Sequence, residues 1–128
     1  MAAEEKNRAR DQARAQLDSI VEMVKALETE DDDAREKALE TIREDPLEVS
    51  VRSDWHSPGE EGESMEYLIL LCTGGPAVRI IGELGRFNEP DTAELQYQDW
   101  FTSWEDCPIT IKEEQALLTY AGCFYFGR

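Results

Sequence analysis

Among its 128 residues the chain has one histidine and three cysteines, and each scarcity removes a class of function. Cys72, Cys107 and Cys123 are odd in number and have no paired spacing, so a disulfide framework is not expected. They read as reduced thiols in a reducing, cytoplasmic compartment. None of Cys72, Cys107, Cys123 and His56 lies within four residues of another, whereas zinc sites use closely spaced ligand pairs, so no metal and no other cofactor is expected. There is no Lys/Arg cluster to replace the counterions of a nucleic acid, which argues against direct phosphate binding. The stretch Met1 to Asp11 is charged and has no apolar h-region, which predicts no signal peptide. No apolar run approaches the roughly 20 residues of a membrane span.

Glycine and aromatic residues are missing from the first 46 positions, and the first proline is Pro46. What fills that stretch instead is Ala, Glu, Arg and Lys. Leu17, Ile20, Val21, Val24 and Leu27 recur at spacings of three and four, predicting an amphipathic helix over about residues 5–29. Glu30-Asp31-Asp32-Asp33 breaks the pattern. Asp33 with Glu36 has the spacing of a capping box, predicting a second helix over about residues 34–44 with Ala38, Leu39 and Ile42 on its apolar face. Pro46 ends it, because the residue before proline disfavours the helical region. The expectation for residues 1–46 is a helical hairpin.

Residues 47–128 have a different texture. Leu47, Val49 and Val51 alternate with Glu48, Ser50 and Arg52, a strand with one wet face. Ser57 to Ser64 reads as an exposed acidic loop. Tyr67 to Thr73 is continuously apolar and predicts a strand buried on both faces. Gly74-Gly75-Pro76 is a turn, Ala77 to Leu84 the next strand, and the short connection implies an antiparallel hairpin. A turn near Gly85 to Asp91 leads to a fourth strand over about Ala93 to Phe101, with Leu95 and Tyr97 facing one way and Glu94, Gln96 and Gln98 the other. Thr110 with Glu113 is a second capping-box candidate and opens a short C-terminal helix. The tail Phe124-Tyr125-Phe126 is too aromatic to leave in water and should dock on the sheet. The expected fold is a single α+β domain over 1–128: a helical hairpin, a four-stranded antiparallel meander, and a C-terminal helix packed on the sheet.

Acidity is the strongest signal. The formal net charge is -16, from 29 acidic and 13 basic residues. Residues 1–46 hold 14 acids and 8 bases, interleaved as on any solvated helix. From Asp54 to Glu114 there are 14 acids against Arg79, Arg86 and Lys112. A surface this negative repels nucleic acid and anionic lipid and attracts basic surfaces. The candidate partner-binding residues are Glu60, Glu61, Glu63, Glu66, Glu89, Asp91, Glu94, Asp99, Glu105 and Asp106. Carboxylates spread over a sheet and its loops can stand where phosphates stand on DNA and fill the groove of a nucleic-acid-binding protein. The competing reading is that acidity serves solubility alone.

Other constellations are weaker. His56 could act as a general base oriented by Asp54, with Ser57 or a distant cysteine as nucleophile; alternatively Trp55 packs and His56 caps a strand end. Thr73-Gly74-Gly75-Pro76 lacks the Lys-Ser/Thr of a phosphate loop and leads into a strand. Trp100, Phe101 and Trp104 beside Glu105 and Asp106 could anchor an interface, or could close the core beneath the C-terminal helix. The stripe Leu17, Ile20, Val21, Val24 and Leu27 could pair with a second copy and make a dimeric adaptor.

The most particular wording is Leu70-Leu71-Cys72-Thr73-Gly74-Gly75-Pro76-Ala77, then Gln96-Tyr97-Gln98-Asp99-Trp100, Leu117-Leu118-Thr119-Tyr120 and Phe124-Tyr125-Phe126-Gly127. In this the chain resembles a family of small acidic proteins carried by phages, prophages and conjugative elements, whose motifs have no assigned chemistry. Size and acidity are also similar to anti-CRISPR and anti-restriction inhibitors, several of which mimic DNA. The resemblance implies a non-catalytic inhibitor from a mobile element, bound to the basic nucleic-acid-binding surface of a host defence complex such as a CRISPR effector or restriction enzyme. It carries over no binding residues, so the acids named above rest on charge. The alternatives are the dimeric adaptor and a small enzyme using His56.

Overall fold

The computed structural model describes residues 2–53, 55–60, 64–99 and 102–126. The chain opens with helix α1, Ala2–Lys25, continued by a 3-10 turn at Ala26–Glu28. Ala9, Ala13, Leu17 and Ile20 form its buried stripe. Helix α2, Asp32–Glu44, starts two residues earlier than the sequence suggested. Its N-cap is Asp31, whose Oδ1 accepts from the Asp33 amide at 3.0 Å, so the expected Asp33–Glu36 box does not form. With three aspartates in a row, capping at the first leaves Asp32 and Asp33 in the first turn, where the helix dipole favours negative charge.

Five strands follow: β1, Glu48–Ser53; β2, Ser64–Cys72; β3, Ala77–Glu83; β4, Glu94–Gln98; and β5, Glu105–Asp106. They lie side by side in chain order and every neighbouring pair is antiparallel. The sheet thus has one strand more than expected. The expected fourth strand stops at Gln98 because a turn closes there: the Thr102 amide donates to the Asp99 carbonyl at 3.2 Å, and the Asp99 amide to Thr102 Oγ1 at 3.1 Å. The chain then returns as β5, two residues too short for alternation to be read. Gly74, at a φ of 96°, makes the β2–β3 turn that a side chain would strain. Helix α3, Ile111–Ala121, begins with the expected Thr110–Glu113 capping box.

All three helices contribute to a core on one face of the sheet. Leu17 and Ile20 of α1, Ile42 of α2, Tyr67, Ile69 and Leu71 of β2, Val78 and Ile80 of β3, Leu95 of β4, and Leu117 and Tyr120 of α3 meet there. Phe126 docks against Tyr67 with ring centroids 5.0 Å apart, as the aromatic tail led one to expect, while Tyr125 stays exposed. Polar ties fix α3 to both other helices. Arg14 of α1 reaches Glu113 at 2.8 Å, and Arg43 of α2 donates to the carbonyl of Cys123, two residues past the end of α3, at 3.2 Å.

The β2 run is not buried on both faces. Tyr67, Ile69 and Leu71 are buried, whereas Leu68 and Leu70, pointing the other way, are partly exposed. The helices occupy one side of the sheet, and among the described residues no helix lies over the far side of β2.

Candidate protein-docking face

Side chains alternate across a strand, and residues directly opposite each other on neighbouring strands share a face. Pairing therefore fixes what the helix-free face presents. Glu48 lies opposite Leu70, Ser50 opposite Leu68 and Arg52 opposite Glu66. Glu66 lies opposite Glu83, Leu68 opposite Ile81 and Leu70 opposite Arg79. Across β4 and β5, Ile81 meets Glu94, Arg79 meets Gln96, and Gln96 meets Asp106. The result is an apolar centre of Leu68, Leu70 and Ile81, ringed by the carboxylates of Glu48, Glu66, Glu83, Glu94 and Asp106.

Two cations lie on this face among the described strand residues, and both are engaged. Arg52 Nη2 is 2.6 Å from Glu66 Oε2, a hydrogen bond that raises the guanidinium pKa. Arg79 donates from Nε to Gln96 Oε1 at 2.9 Å, and its guanidinium carbon lies 4.0 Å from the centre of the Trp104 ring. Partial burial pulls the Arg79 pKa down. Gln96 passes the chain of contacts on, donating from Nε2 to Asp106 Oδ1 at 2.8 Å. Trp104 thus covers a cation on the open face instead of closing the core beneath α3. A shallow hollow of about 200 Å³ between Ser50, Arg52, Glu66, Leu68, Arg79 and Ile81 marks the middle of the face.

The ten candidate acids do not share one surface. Glu66, Glu94 and Asp106 are on the open face. Glu60 is exposed in the β1–β2 loop, and Glu89 and Asp91 are exposed in the β3–β4 connection. Glu61 and Glu63 lie outside the described residues. Asp99 is buried at 7% exposure within the β4–β5 turn. Glu105 is opposite Tyr97 on the helix side, where it helps to raise the tyrosine pKa behind the larger effect of burial. Glu48 and Glu83 complete the ring without having been among the candidates. The alternation of Glu48 with Val49 and Val51 was the signal for the first; the second needed the register of β3.

His56 is exposed, with Nδ1 3.2 Å from the Ser57 carbonyl, and Trp55 is 99% exposed instead of packed. Asp54, Trp100 and Phe101 lie outside the described residues. All three cysteine thiols are pushed up in pKa by burial, which keeps them protonated and poorly nucleophilic. Among the described residues no three His, Cys, Asp or Glu side chains gather as a metal site would require, and no helix is long and apolar enough to cross a membrane. The α1 stripe is occupied at home: Leu17 and Ile20 are fully buried in their own core, with Val21, Val24 and Leu27 packed against it. In comparisons with known proteins, no family model, no curated protein and no solved structure matches the chain.

Proposed function

We propose that this is a non-catalytic binding protein whose open sheet face engages the basic, nucleic-acid-binding surface of another protein. The observation that carries the reading is the ring of Glu48, Glu66, Glu83, Glu94 and Asp106 on one helix-free face whose two arginines are both engaged. Neighbouring strands are about 4.8 Å apart and same-face residues about 7 Å apart along a strand, so such carboxylates form a fixed lattice of negative charge. A fixed lattice meets a Lys/Arg-lined groove without the ordering cost of flexible acids. Opposite potentials speed the encounter and reject acidic competitors. Leu68, Leu70, Ile81 and Trp104 add the apolar contact that the centre of a specific interface requires.

As an acidic DNA mimic encoded by a mobile element, the protein would fill the nucleic-acid groove of a host defence complex, a CRISPR effector or a restriction enzyme. The test is capture of a partner from host lysate, followed by competition. The expected result is one basic nucleic-acid-binding complex, released by salt and by duplex DNA. A variant carrying Glu66→Lys, Glu94→Lys and Asp106→Lys, with an unchanged circular dichroism spectrum, should hold nothing. If it holds the same complex as well as wild type does, or if DNA displaces nothing, the open face is not a nucleic-acid decoy.

A further inference from the structure

The two edges of the sheet are unlike. β5 is two residues long and offers little to pair with. β1 is six residues long, pairs with β2 on one side, and has no strand on the other among the described residues. Proteins usually blunt such an edge with proline, lysine, an inward charge or a bulge, because its unpaired backbone groups are a template for another strand. Between Glu48 and Arg52 none of these occurs; the one irregularity lies at the far end, between Arg52 and Ser53.

Apolar surface lies along the same edge. Leu47, Val49 and Val51 are 61%, 37% and 44% exposed, and Met65 beside them on β2 is 46% exposed. Val49 and Val51, opposite the buried Ile69 and Tyr67, point to the helix side, but α1 packs over β3 and β4 and leaves the β1 end uncovered.

The order of residues then selects an occupant. Glu48-Val49-Ser50-Val51-Arg52 is complementary to itself when reversed about Ser50. Two copies paired antiparallel with Ser50 against Ser50 place Glu48 of each opposite Arg52 of the other, twice, on the open face. Val49 faces Val51, also twice, on the helix side. Opposite charges and β-branched pairs directly across an antiparallel ladder are both stabilising. A one-residue slip would set valine against serine or a charge and put the side chains on the wrong faces. Arg52 can serve two carboxylates, since a guanidinium carries five N–H donors and its contact with Glu66 leaves others available.

We infer that β1 is a self-association edge and that its occupant is a second copy of this chain. The two-fold axis runs between the two Ser50 residues, normal to the sheet. The contact is isologous and closes at two copies, so it makes dimers and not fibres. Both helix layers fall on one side, and the two five-stranded sheets join into one, with their open faces continuous on the other side. The inference stands apart from the docking function, because it is tested with no partner present.

The experiment measures solution mass by light scattering from micromolar to millimolar protein at about 0.15 M salt. Wild type should reach twice 14.6 kDa. Glu48→Lys sets like charges together at both pairs and should be monomeric, while keeping the Arg52–Glu66 bridge and its thermal melt. Arg52→Glu should be monomeric as well. An equimolar mixture of the two variants sets the new lysine against the new glutamate, and native Glu48 against native Arg52. That mixture should return to dimer, and native mass spectrometry should find one chain of each kind. Wild type that stays at 14.6 kDa throughout overturns the inference and leaves the edge to a foreign strand. A dimeric Glu48→Lys variant, or a mixture that stays monomeric with both chains folded, overturns the register.

Discussion

Tyr120 of α3 and Asp45 at the end of α2 meet across the helix layer, the buried hydroxyl donating to Asp45 Oδ2 at 2.7 Å. Burial raises the phenol pKa well above the ordinary tyrosine range, and the carboxylate it faces raises it further. The ring is fully buried, whereas Asp45 is exposed and can be rehydrated. Tyr120→Phe therefore keeps the packing, removes one donor and strands no buried acceptor. It should lower unfolding free energy by about 1 kcal/mol, read as a shift in urea midpoint at constant slope. A neutral result would mean that the Tyr120 hydroxyl adds nothing to the packing of its ring and the Arg43 tie between α2 and the end of α3.

Gly82 is constrained by its neighbours. A Cβ there would overlap the Thr92 carbonyl oxygen and come within 2.7 Å of the Tyr67 ring, which lies opposite on β2. The missing side chain is what lets the Tyr67 hydroxyl reach that same carbonyl at 2.6 Å. One of the two obstacles is backbone and cannot rotate away. Gly82→Ala should cost about 1–3 kcal/mol, the range of an overpacked core, and lower the melting temperature accordingly. An unchanged melt would show that the connection into β4 at Thr92 can shift to accept a methyl group.

Glu113 carries two duties, closing the α3 capping box and receiving Arg14 of α1. The Arg14 hydrogen bond, then that of the Thr110 amide, holds its pKa below the ordinary glutamate range. A carboxylate depressed in the folded state stabilises the protein above its unfolded pKa, and that contribution disappears as pH falls through the folded value. Glu113→Gln should therefore be less stable than wild type at neutral pH. The difference should be about 0.5–1 kcal/mol, since Arg14 is 43% exposed and solvent screens the pair. The gap should close in acid as wild type takes up the same proton. Denaturation curves at neutral and acid pH decide it: a gap that does not change with pH would assign the effect to shape and not to charge.

Much of this was legible in the sequence, and the reasons are local. The spacing of Leu17 and Ile20 gave α1 and half of its buried stripe, without Ala9 and Ala13, and Thr110 with Glu113 gave the start of α3, because both signals lie within one turn or a few turns of helix. Leu95 and Tyr97 face the core, and Glu94, Gln96 and Gln98 face away, as alternation predicts. What could not be read was set by pairing over distance. Asp99 and Asp106 look alike in the sequence, yet one is buried in a turn and the other is on the open face. Glu105 and Asp106 are neighbours on opposite faces. β2 looked buried twice because Leu68 and Leu70 are as apolar as Ile69 and Leu71, and no sequence pattern says that one side lacks a helix.

That open side holds a conflict from which solubility and function can be told apart. Glu66 and Glu83 lie directly opposite each other, an arrangement that costs stability in an antiparallel ladder. Glu66 is bridged to Arg52, but Glu83 has no salt bridge among the described residues. Glu83→Lys replaces the repulsion with attraction and should raise stability by about 0.2–1 kcal/mol. If the face exists to meet a basic groove, the same change places a cation in the acidic ring and should weaken partner binding in proportion to its effect on the local potential. Acidity that served solubility alone would tolerate the exchange at no functional loss. A variant that melts higher and binds as well as wild type would therefore remove the open face from the interface, whereas one that melts higher and binds worse would identify Glu83 as a residue kept for its partner at the expense of the sheet.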